Sequence, residues 1–269
     1  MWDPSGILMP VTMKFRIAMQ ELWDYDWDDQ LSEQETREWQ DYRREILPLQ
    51  DFRIRRCLKP QGAVGLPQLH GFADGGEKAY GACCCLRWNL EDGHYENTFV
   101  AAKGLVAPLK KKSIPRLELM ACTTMSRLIK SIEAALNIEY TEKYLWVDST
   151  TVLKWLRSSP RSFKPFGSAK VAEVQETHDV RCFRYVPSES NPADQLTKPI
   201  PTEQLAEWHK GTAFLLMDEE FWPQEPVCED PSRGVEENAT NKDRSKIKKR
   251  QQRQIHSVVR TDTPNDAEK

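Results

Sequence analysis

The sequence predicts an α/β fold, in which helices flank one mixed β-sheet and a small helical segment precedes it. Two hairpin patterns follow each other in residues 68–106, and strand and helix signals then alternate up to residue 200. The length of 269 residues allows one domain of ordinary size with additional segments. We expect a helical segment at 1–58, a linker at 59–67, the α/β domain at 68–200, a helical extension at 201–222 and a disordered basic tail at 223–269.

The first segment has apolar residues at helical spacing, from Val11 through Phe15 to Leu22. Ser32 and Glu35 form a capping-box pattern that predicts the start of a second helix. Two prolines and two glycines then follow in "LKPQGAVGLP", which is typical of a linker. We therefore expect residues 1–58 to form a helical unit separate from the domain that follows.

The next 130 or so residues carry the alternating elements. We predict strands near 68–74, 79–88, 94–106, 143–148 and 181–186. We predict helices near 114–136, 149–158, 166–177 and 191–198. Cys83, Cys84 and Cys85 are consecutive on the second strand, and we interpret them as small buried hydrophobes in a reducing compartment.

Four acidic residues lie where these elements begin or end. Asp74 closes the first strand, and Asp148 closes the apolar strand "YLWV". Glu118 and Asp194 lie in the first turns of helices that follow strands. Each acid taken alone has an ordinary explanation: Asp74 starts a turn, Asp148 caps a helix, and the other two complement a helix dipole.

The four acids together indicate more than any one of them. Such ends can converge on one edge of a sheet, where four carboxylates would repel each other and raise each other's pKa. Divalent cations remove this repulsion, and carboxylate oxygens suit Mg²⁺ or Mn²⁺ better than zinc. Two such ions about 4 Å apart can hold a phosphodiester for hydrolysis.

The charge distribution agrees with a nucleic-acid partner, although the net charge is only −3. Residues 101–130 contain seven Lys or Arg and one acid, and residues 149–172 contain five Lys or Arg and no acid. Such asymmetry indicates a basic face, whose other explanation is a solvated helix surface. The candidates for contacts to the phosphate backbone are Lys110, Lys111, Lys112, Arg116, Lys154 and Arg157.

Several classes are disfavoured. The seven cysteines include no CxxC pair, which argues against a disulfide framework and a zinc ribbon. We find neither a signal peptide pattern nor an apolar run long enough to span a membrane. We therefore expect a soluble intracellular protein, in the cytoplasm or nucleus, that is neither secreted nor bound to a membrane.

The motifs resemble, in order and spacing, the ribonuclease H region of BEL/Pao-type LTR retrotransposon polyproteins. The residues up to Trp23 resemble the segment after the reverse transcriptase palm in the same polyproteins. The resemblance covers about residues 1–222, and the stretches that carry it are "WDPSGILMPVTMKFRIAMQELW", "HGFADGGEKAYGA", "AAKGLVAPLKKKSIPRLELMA", "LWVDSTTVLKWL" and "VPSESNPADQLTKP".

This resemblance implies a ribonuclease H-like fold with a five-stranded mixed sheet and a catalytic D-E-D-D metal site. Its members would be Asp74, Glu118, Asp148 and Asp194, with two Mg²⁺ ions that Mn²⁺ can replace. The implied activity is endonucleolytic hydrolysis of the RNA strand of an RNA–DNA hybrid, and the palm domain of the same polyprotein is a candidate partner. The chain would be a polyprotein fragment or a gene derived from one.

Two alternatives remain open at this stage. The chain could be a catalytically inactive nucleic-acid-binding or interaction module retained from a mobile element. A DDE-type transposase or integrase has a Glu as its last acid, whereas here the Glu comes second. The loop "PSESNP" also lacks the histidine that many ribonucleases H carry before the last acid, and Ser188, Glu189 or Asn191 could compensate.

Overall fold

The computed structural model describes residues 3–226. The strands are β1 (Ala63–Gly75), β2 (Ala79–Leu90), β3 (Tyr95–Val106), β4 (Lys143–Val147) and β5 (Phe183–Tyr185). The α-helices are α1 (Met9–Glu21), α2 (Glu33–Ile46), α3 (Ile114–Leu136), α4 (Thr150–Leu156), α5 (Pro165–Thr177) and α6 (Leu205–Trp208). Short 3-10 helices lie at Leu47–Asp51, Pro160–Ser162, Val180–Cys182, Ser188–Ser190, Pro192–Leu196, Thr202–Gln204, Ala213–Leu216 and Glu219–Phe221. Within this part of the chain, no helix has the length and apolar character needed to cross a membrane.

The five strands form one mixed sheet in the order β3-β2-β1-β4-β5. The first three strands are antiparallel neighbours. Helix α3 carries the chain over the sheet, so that β4 runs parallel to β1, and β5 runs parallel to β4. The predicted mixed sheet of five strands is confirmed, and the carboxyl ends of β1, β4 and β5 lie at the same edge.

Both faces of the sheet are covered, which explains why its central strands are almost wholly apolar. On one face, residues such as Leu69, Ala73 and Leu145 pack against α3, α4 and α5. On the other face, Phe72 and Trp146 stack on each other and contact the segments that precede and follow the sheet. The predicted burial of the three consecutive cysteines of β2 is confirmed: Cys84 lies in a small apolar cluster, while its two neighbours point into the second core.

The first helix is part of this second core. Met9 and Met13 contact the backbone of β3, where a Cβ at Gly104 would lie 2.2 Å from the Met13 methyl group. Helix α2 then packs on α1 through its aromatic rings, with Phe15 and Tyr42 centroids 5.4 Å apart. The expectation of a separate unit is therefore wrong for α1, because its apolar stripe completes the cover of the sheet. The proposed domain boundaries themselves stay a prediction.

Two elements differ from the sequence prediction. Strand β1 begins at Ala63, inside the predicted linker 59–67, and its ladder is interrupted between Val64 and Gln68. The glycine and proline in that interval mark a bulge rather than a linker, since Gly65 has φ of +68°. The predicted helix at 191–198 is a 3-10 helix of five residues.

The C-terminal residues divide into two parts. The predicted extension at 201–222 packs on the second core through Leu205, Phe214 and Trp222. The predicted basic tail at 223–269 lies outside the described residues, apart from 223–226.

We predict that Met13→Ala lowers the free energy of unfolding by about 2 to 5 kcal/mol, because the side chain is fully buried between α1 and β3. Met19→Ala is the matched control on the same helix, since that side chain is 63% exposed, and it should change stability by less than about 0.5 kcal/mol. Chemical denaturation of both variants measures this. Equal, small effects would contradict the packing of α1 on the sheet.

Candidate active site

The site begins with two acids on neighbouring strands. The parallel register of β1 and β4 pairs Ala73 with Val147, so that Asp74 and Asp148 follow side by side at the carboxyl ends of both strands. Asp74 is only 8% exposed. Its carboxylate accepts a hydrogen bond from the Thr197 hydroxyl. We find no support for the explanation of Asp74 as a turn residue, since the hairpin turn is closed by the Gly76 amide and the Ala79 carbonyl.

Asp148 is not the helix cap that its position suggested as an alternative. Ser149 is the N-cap residue of α4, and its hydroxyl accepts from the Val152 amide at 3.3 Å. Asp148 Oδ2 instead accepts from Ser188 Oγ at 2.9 Å. Its buried Oδ1 atom accepts no hydrogen bond from a hydroxyl or N–H group, and the neighbouring Asp74 carboxyl donates to Asp148 only in its protonated form. When Asp74 is ionised, this atom is therefore an unfilled acceptor at the sheet edge.

Glu118 approaches from the face of the sheet that α3, α4 and α5 cover. Its predicted place in the first turn of the helix is wrong, because α3 begins at Ile114 and its first turn contains no acidic residue. The approach depends on Gly75, because a Cβ there would lie 2.4 Å from the Glu118 amide nitrogen. Pro115 fits the first turn, as predicted, and Ser113 is the N-cap residue, but its hydroxyl makes no capping hydrogen bond. The first turn of α3 is therefore held by its contact with the end of β1.

Asp194 lies in the 3-10 helix Pro192–Leu196, which is tied directly to β1. Asn191 donates from Nδ2 to the Ala73 carbonyl at 3.0 Å, and its Oδ1 accepts from the Ala193 amide at 3.1 Å. The predicted capping role of Asn191 is thus confirmed. Because the anchoring carbonyl belongs to the residue before Asp74, the turn brings Asp194 to the end of the same strand.

The electrostatics show that these acids share one neighbourhood. The pKa of Asp74 is raised to about 6, first by burial and then by the charges of Asp148 and Asp194, while the Thr197 hydrogen bond opposes the rise. Burial likewise raises the pKa of Asp148. The Cys122 thiol lies one helical turn after Glu118, and its pKa is raised well above the usual value, first by burial and then by the charges of Glu118, Asp148 and Asp74.

We call the four residues Asp74, Glu118, Asp148 and Asp194 the acidic cluster. In residues 3–226, no three His, Cys, Asp or Glu side chains are already arranged to hold a metal ion. The chemistry of the cluster nevertheless suits one: its donors are carboxylate oxygens, one buried oxygen accepts no hydrogen bond from a hydroxyl or N–H group, and like charges raise the pKa of a buried acid. A hard divalent cation would bind the oxygen without a donor and neutralise the like charges, whose repulsion the Lys198 ammonium now reduces in part.

The six basic candidates belong to two stretches of the chain, one at the start of α3 and one at α4. Lys110 and Lys111 are exposed, while Lys112 and Arg116 lie over the Phe166 ring at 5.7 and 5.5 Å. These four residues flank the start of α3 and therefore lie near Glu118.

The other two candidates lie on and after α4. Lys154 is exposed, whereas Arg157 forms an ion pair with Glu225 at 2.7 Å. Contacts of all six basic residues with nucleic acid remain predictions.

Two residues that matter here were not singled out from the sequence. The Thr197 hydroxyl lies within hydrogen-bonding distance of Asp74 and of the Asp194 carbonyl, and the Lys198 ammonium lies 2.7 Å from Asp194 Oδ1. The sequence spacing could have indicated both residues, because residues three and four positions after Asp194 lie on the same face of a helical turn as Asp194. Of the three residues considered for the missing histidine, Ser188 contacts the cluster directly, Asn191 anchors its turn, and Glu189 is exposed.

A family model described as "Pao retrotransposon-like RNaseH-like domain" matches residues 1–149. The match includes three members of the acidic cluster and ends before Asp194. No curated protein matches the chain.

One similar solved structure is the N-terminal RNase H domain of a Mycobacterium tuberculosis protein, fused to maltose-binding protein. It is 15% identical to this chain with a TM-score of 0.34, and the match covers 53% of this chain and 96% of that chain. Ribonuclease H1 from Halobacterium salinarum is 19% identical with a TM-score of 0.31, and the match covers 53% of this chain and 99% of that chain. A ribonuclease H1 from a compost metagenome, in complex with an RNA/DNA hybrid, is 14% identical with a TM-score of 0.29, covering 48% and 92%.

We predict that Asp74→Asn alters the pH dependence of stability in EDTA. The folded pKa of Asp74, about 6, lies above the ordinary value of 3.8. The unfolded chain therefore loses this proton first, and the parent loses stability as the pH rises from 3.8 to 6, by up to about 3 kcal/mol.

The variant lacks this titration, so its stability should fall less than that of the parent between pH 4 and pH 7. Urea denaturation of both proteins at several pH values measures the difference. Parallel curves for the two proteins would contradict the burial of Asp74 among like charges.

Proposed function

The chain belongs to the Pao retrotransposon-like RNaseH-like domain family, and on this premise we propose that it is a retrotransposon-derived ribonuclease H. Its five-stranded sheet has the ribonuclease H-like fold that the resemblance implied. The proposed reaction is metal-dependent, endonucleolytic hydrolysis of the RNA strand of an RNA–DNA hybrid. The observation that supports the proposal is that Asp74 and Asp148 end neighbouring strands, that Asp194 acts on both through its charge, and that the backbone of Glu118 packs against the end of β1.

In this proposal the four carboxylates of the acidic cluster would hold Mg²⁺ or Mn²⁺, with two ions as the expected number. When bound, such ions lower the pKa of water and neutralise charge on a phosphodiester. The fit rests on the all-oxygen donor set and on the buried Oδ1 of Asp148, which accepts no hydrogen bond from a hydroxyl or N–H group.

The other residues of the site would orient these carboxylates. Thr197 holds Asp74, Ser188 holds Asp148, and Asn191 fixes the turn that carries Asp194. Each contact removes rotational freedom from a side chain whose oxygens must point to one place. Fixed carboxylates of this kind cost little reorganisation when the charge of the substrate arrives.

The substrate would be held mainly through its phosphates. Lys110 and Lys111 are exposed beside the first turn of α3, and Lys154 is exposed on α4, on the same face of the sheet. Arg157 could join them once its ion pair with Glu225 opens. Selectivity for a hybrid needs contacts to 2′-hydroxyls on one strand and to the backbone of the other.

A second candidate function is a catalytically inactive module that binds nucleic acid or a protein of the same mobile element, such as the reverse transcriptase palm. One observation favours it: within the described part of the chain, no metal-binding group is already arranged. The two functions differ in a single assay, because only the first one cuts RNA.

We predict that the chain cuts the RNA strand of a labelled hybrid in Mg²⁺ or Mn²⁺, leaving 3′-hydroxyl and 5′-phosphate ends, and does not cut in Ca²⁺, whose coordination is longer and looser. Asp148→Asn should lower the rate by at least about 100-fold, since changes in the second shell of a metal site already cost roughly 10- to 100-fold. Asp92→Asn is the matched control, because Asp92 lies in the β2–β3 turn at the opposite end of the sheet. Cleavage in EDTA, or equal cleavage of single-stranded RNA, would contradict the proposal.

The same variant separates metal binding from catalysis. The parent should gain thermal stability on addition of Mg²⁺, because a ligand that binds only the folded state stabilises it. Metal-free Asp148→Asn should be at least as stable as the parent, since one of the repelling charges is gone, and it should gain much less from Mg²⁺. If the variant keeps the full stabilisation by Mg²⁺, the metal site is wrongly assigned even where hybrid binding persists.

We predict that replacing Lys110, Lys111 and Lys112 with Gln weakens hybrid binding about equally for all sequences. It should also reduce the slope of log Kd against log salt by up to about 0.9 per lost phosphate contact. Fluorescence anisotropy at several salt concentrations measures both quantities. A triple variant at Arg53, Arg55 and Arg56 loses the same charge elsewhere and should leave more of the slope intact. Equal slopes in the parent and the lysine variant would show that the three lysines are only solvated.

A further inference from the structure

Lys198 makes an ion pair at an unusual place. Its ammonium nitrogen lies 2.7 Å from Asp194 Oδ1, and the two side chains are 74% and 18% exposed. Exposed ion pairs four residues apart are common on helices and contribute little to stability. This pair differs because its acid belongs to the acidic cluster. The ammonium therefore lies where a bound cation would be attracted.

The Lys198 ammonium interacts electrostatically with more acids than Asp194, its direct partner. The pKa of Lys198 is raised first by Asp194 and then by the charges of Asp74 and Asp148. The Lys198 ammonium is therefore a counter-ion for three members of the cluster, although it contacts one of them.

The backbone of Lys198 is held by a hydrogen bond, while most of its side chain is exposed to solvent. Its amide donates to the Asp194 carbonyl at 2.8 Å, and the fully buried Leu196 and the hydroxyl of Thr197 hold the preceding residues. The 3-10 helix ends at Leu196, and Pro199 follows Lys198 in the chain. A lysine ammonium on four flexible methylene groups can leave Asp194 without any change in the fold.

We propose that Lys198 is a built-in counter-ion, which occupies the acidic cluster when no divalent cation is bound and moves to a phosphate of the nucleic acid when a cation displaces it. This inference rests on the proposed metal site. The ammonium and a divalent cation carry like charges and compete for the same carboxylate oxygens. When the cation displaces the Lys198 ammonium from Asp194, the ammonium is available to bind a substrate phosphate beside the cluster. Cation binding and nucleic-acid binding therefore strengthen each other, and by linkage the coupling is reciprocal.

The test uses Lys198→Gln and Lys198→Arg in the full chain. Lys210→Gln is the matched control, because Lys210 forms a similar exposed ion pair, 2.6 Å from Glu207 and outside the cluster. Thermal melts over a Mg²⁺ titration give the half-saturating concentration for each protein. Anisotropy of a labelled hybrid, with EDTA and with Ca²⁺, gives affinity without turnover.

Lys198→Gln should bind Mg²⁺ about three- to tenfold more tightly than the parent at low ionic strength, because a competing charge is removed. The same variant should bind the hybrid as the parent does in EDTA and several-fold more weakly in Ca²⁺. Lys198→Arg should restore hybrid binding in Ca²⁺, and Lys210→Gln should behave as the parent in every measurement. A lysine with only a structural role would not tighten Mg²⁺ binding when removed.

Two results would overturn the inference in different ways. If Mg²⁺ stabilises the parent but its half-saturating concentration is the same in Lys198→Gln, the counter-ion role is wrong and the metal site stands. If Mg²⁺ stabilises neither the parent nor any variant, the metal site and the counter-ion role fail together.

Discussion

The parallel pairing of β1 with β4 is the constraint on which the rest of this structure depends. It places Asp74 and Asp148 next to each other at a buried edge, where burial raises the pKa of both carboxyls and the charge of Asp148 adds to the rise at Asp74. The neighbouring elements are organised around that point. Gly75 lets α3 come close, Asn191 ties the last turn to β1, and Lys198 supplies a positive charge.

The fold stabilises this costly edge by covering the sheet on both sides. Helices α3, α4 and α5 cover one face, while α1 and the segment after residue 200 cover the other. Buried aromatic residues such as Trp146 and Phe72 contribute large apolar areas next to the strand ends. The free energy from these two cores offsets the repulsion within the acidic cluster. The N-terminal helix is therefore a structural part of the domain that holds the site.

Most of the sheet could be predicted from sequence because its signals are local: apolar runs, glycine turns and a proline in a first turn. Two of the acids, Asp74 and Asp148, could be placed at strand ends for the same reason. What could not be predicted depends on contacts between distant segments. In the sequence, the bulge after Val64 has the composition of a linker. The packing of α1 on the sheet depends on Gly104, which lies far along the chain. The position of Lys198 beside the acidic cluster depends on the fold, which brings Asp194 close to Asp74.

The central claim is that the four carboxylates form one metal-binding cluster, and a crystal of the chain grown with Mn²⁺ tests it most directly. Anomalous scattering should show a manganese ion about 2.0 to 2.3 Å from carboxylate oxygens of Asp74 and Asp148, with Asp194 or Glu118 beside it and Lys198 turned away from Asp194. A map in which Mn²⁺ binds only elsewhere on the surface, with Lys198 still paired to Asp194, would contradict the account.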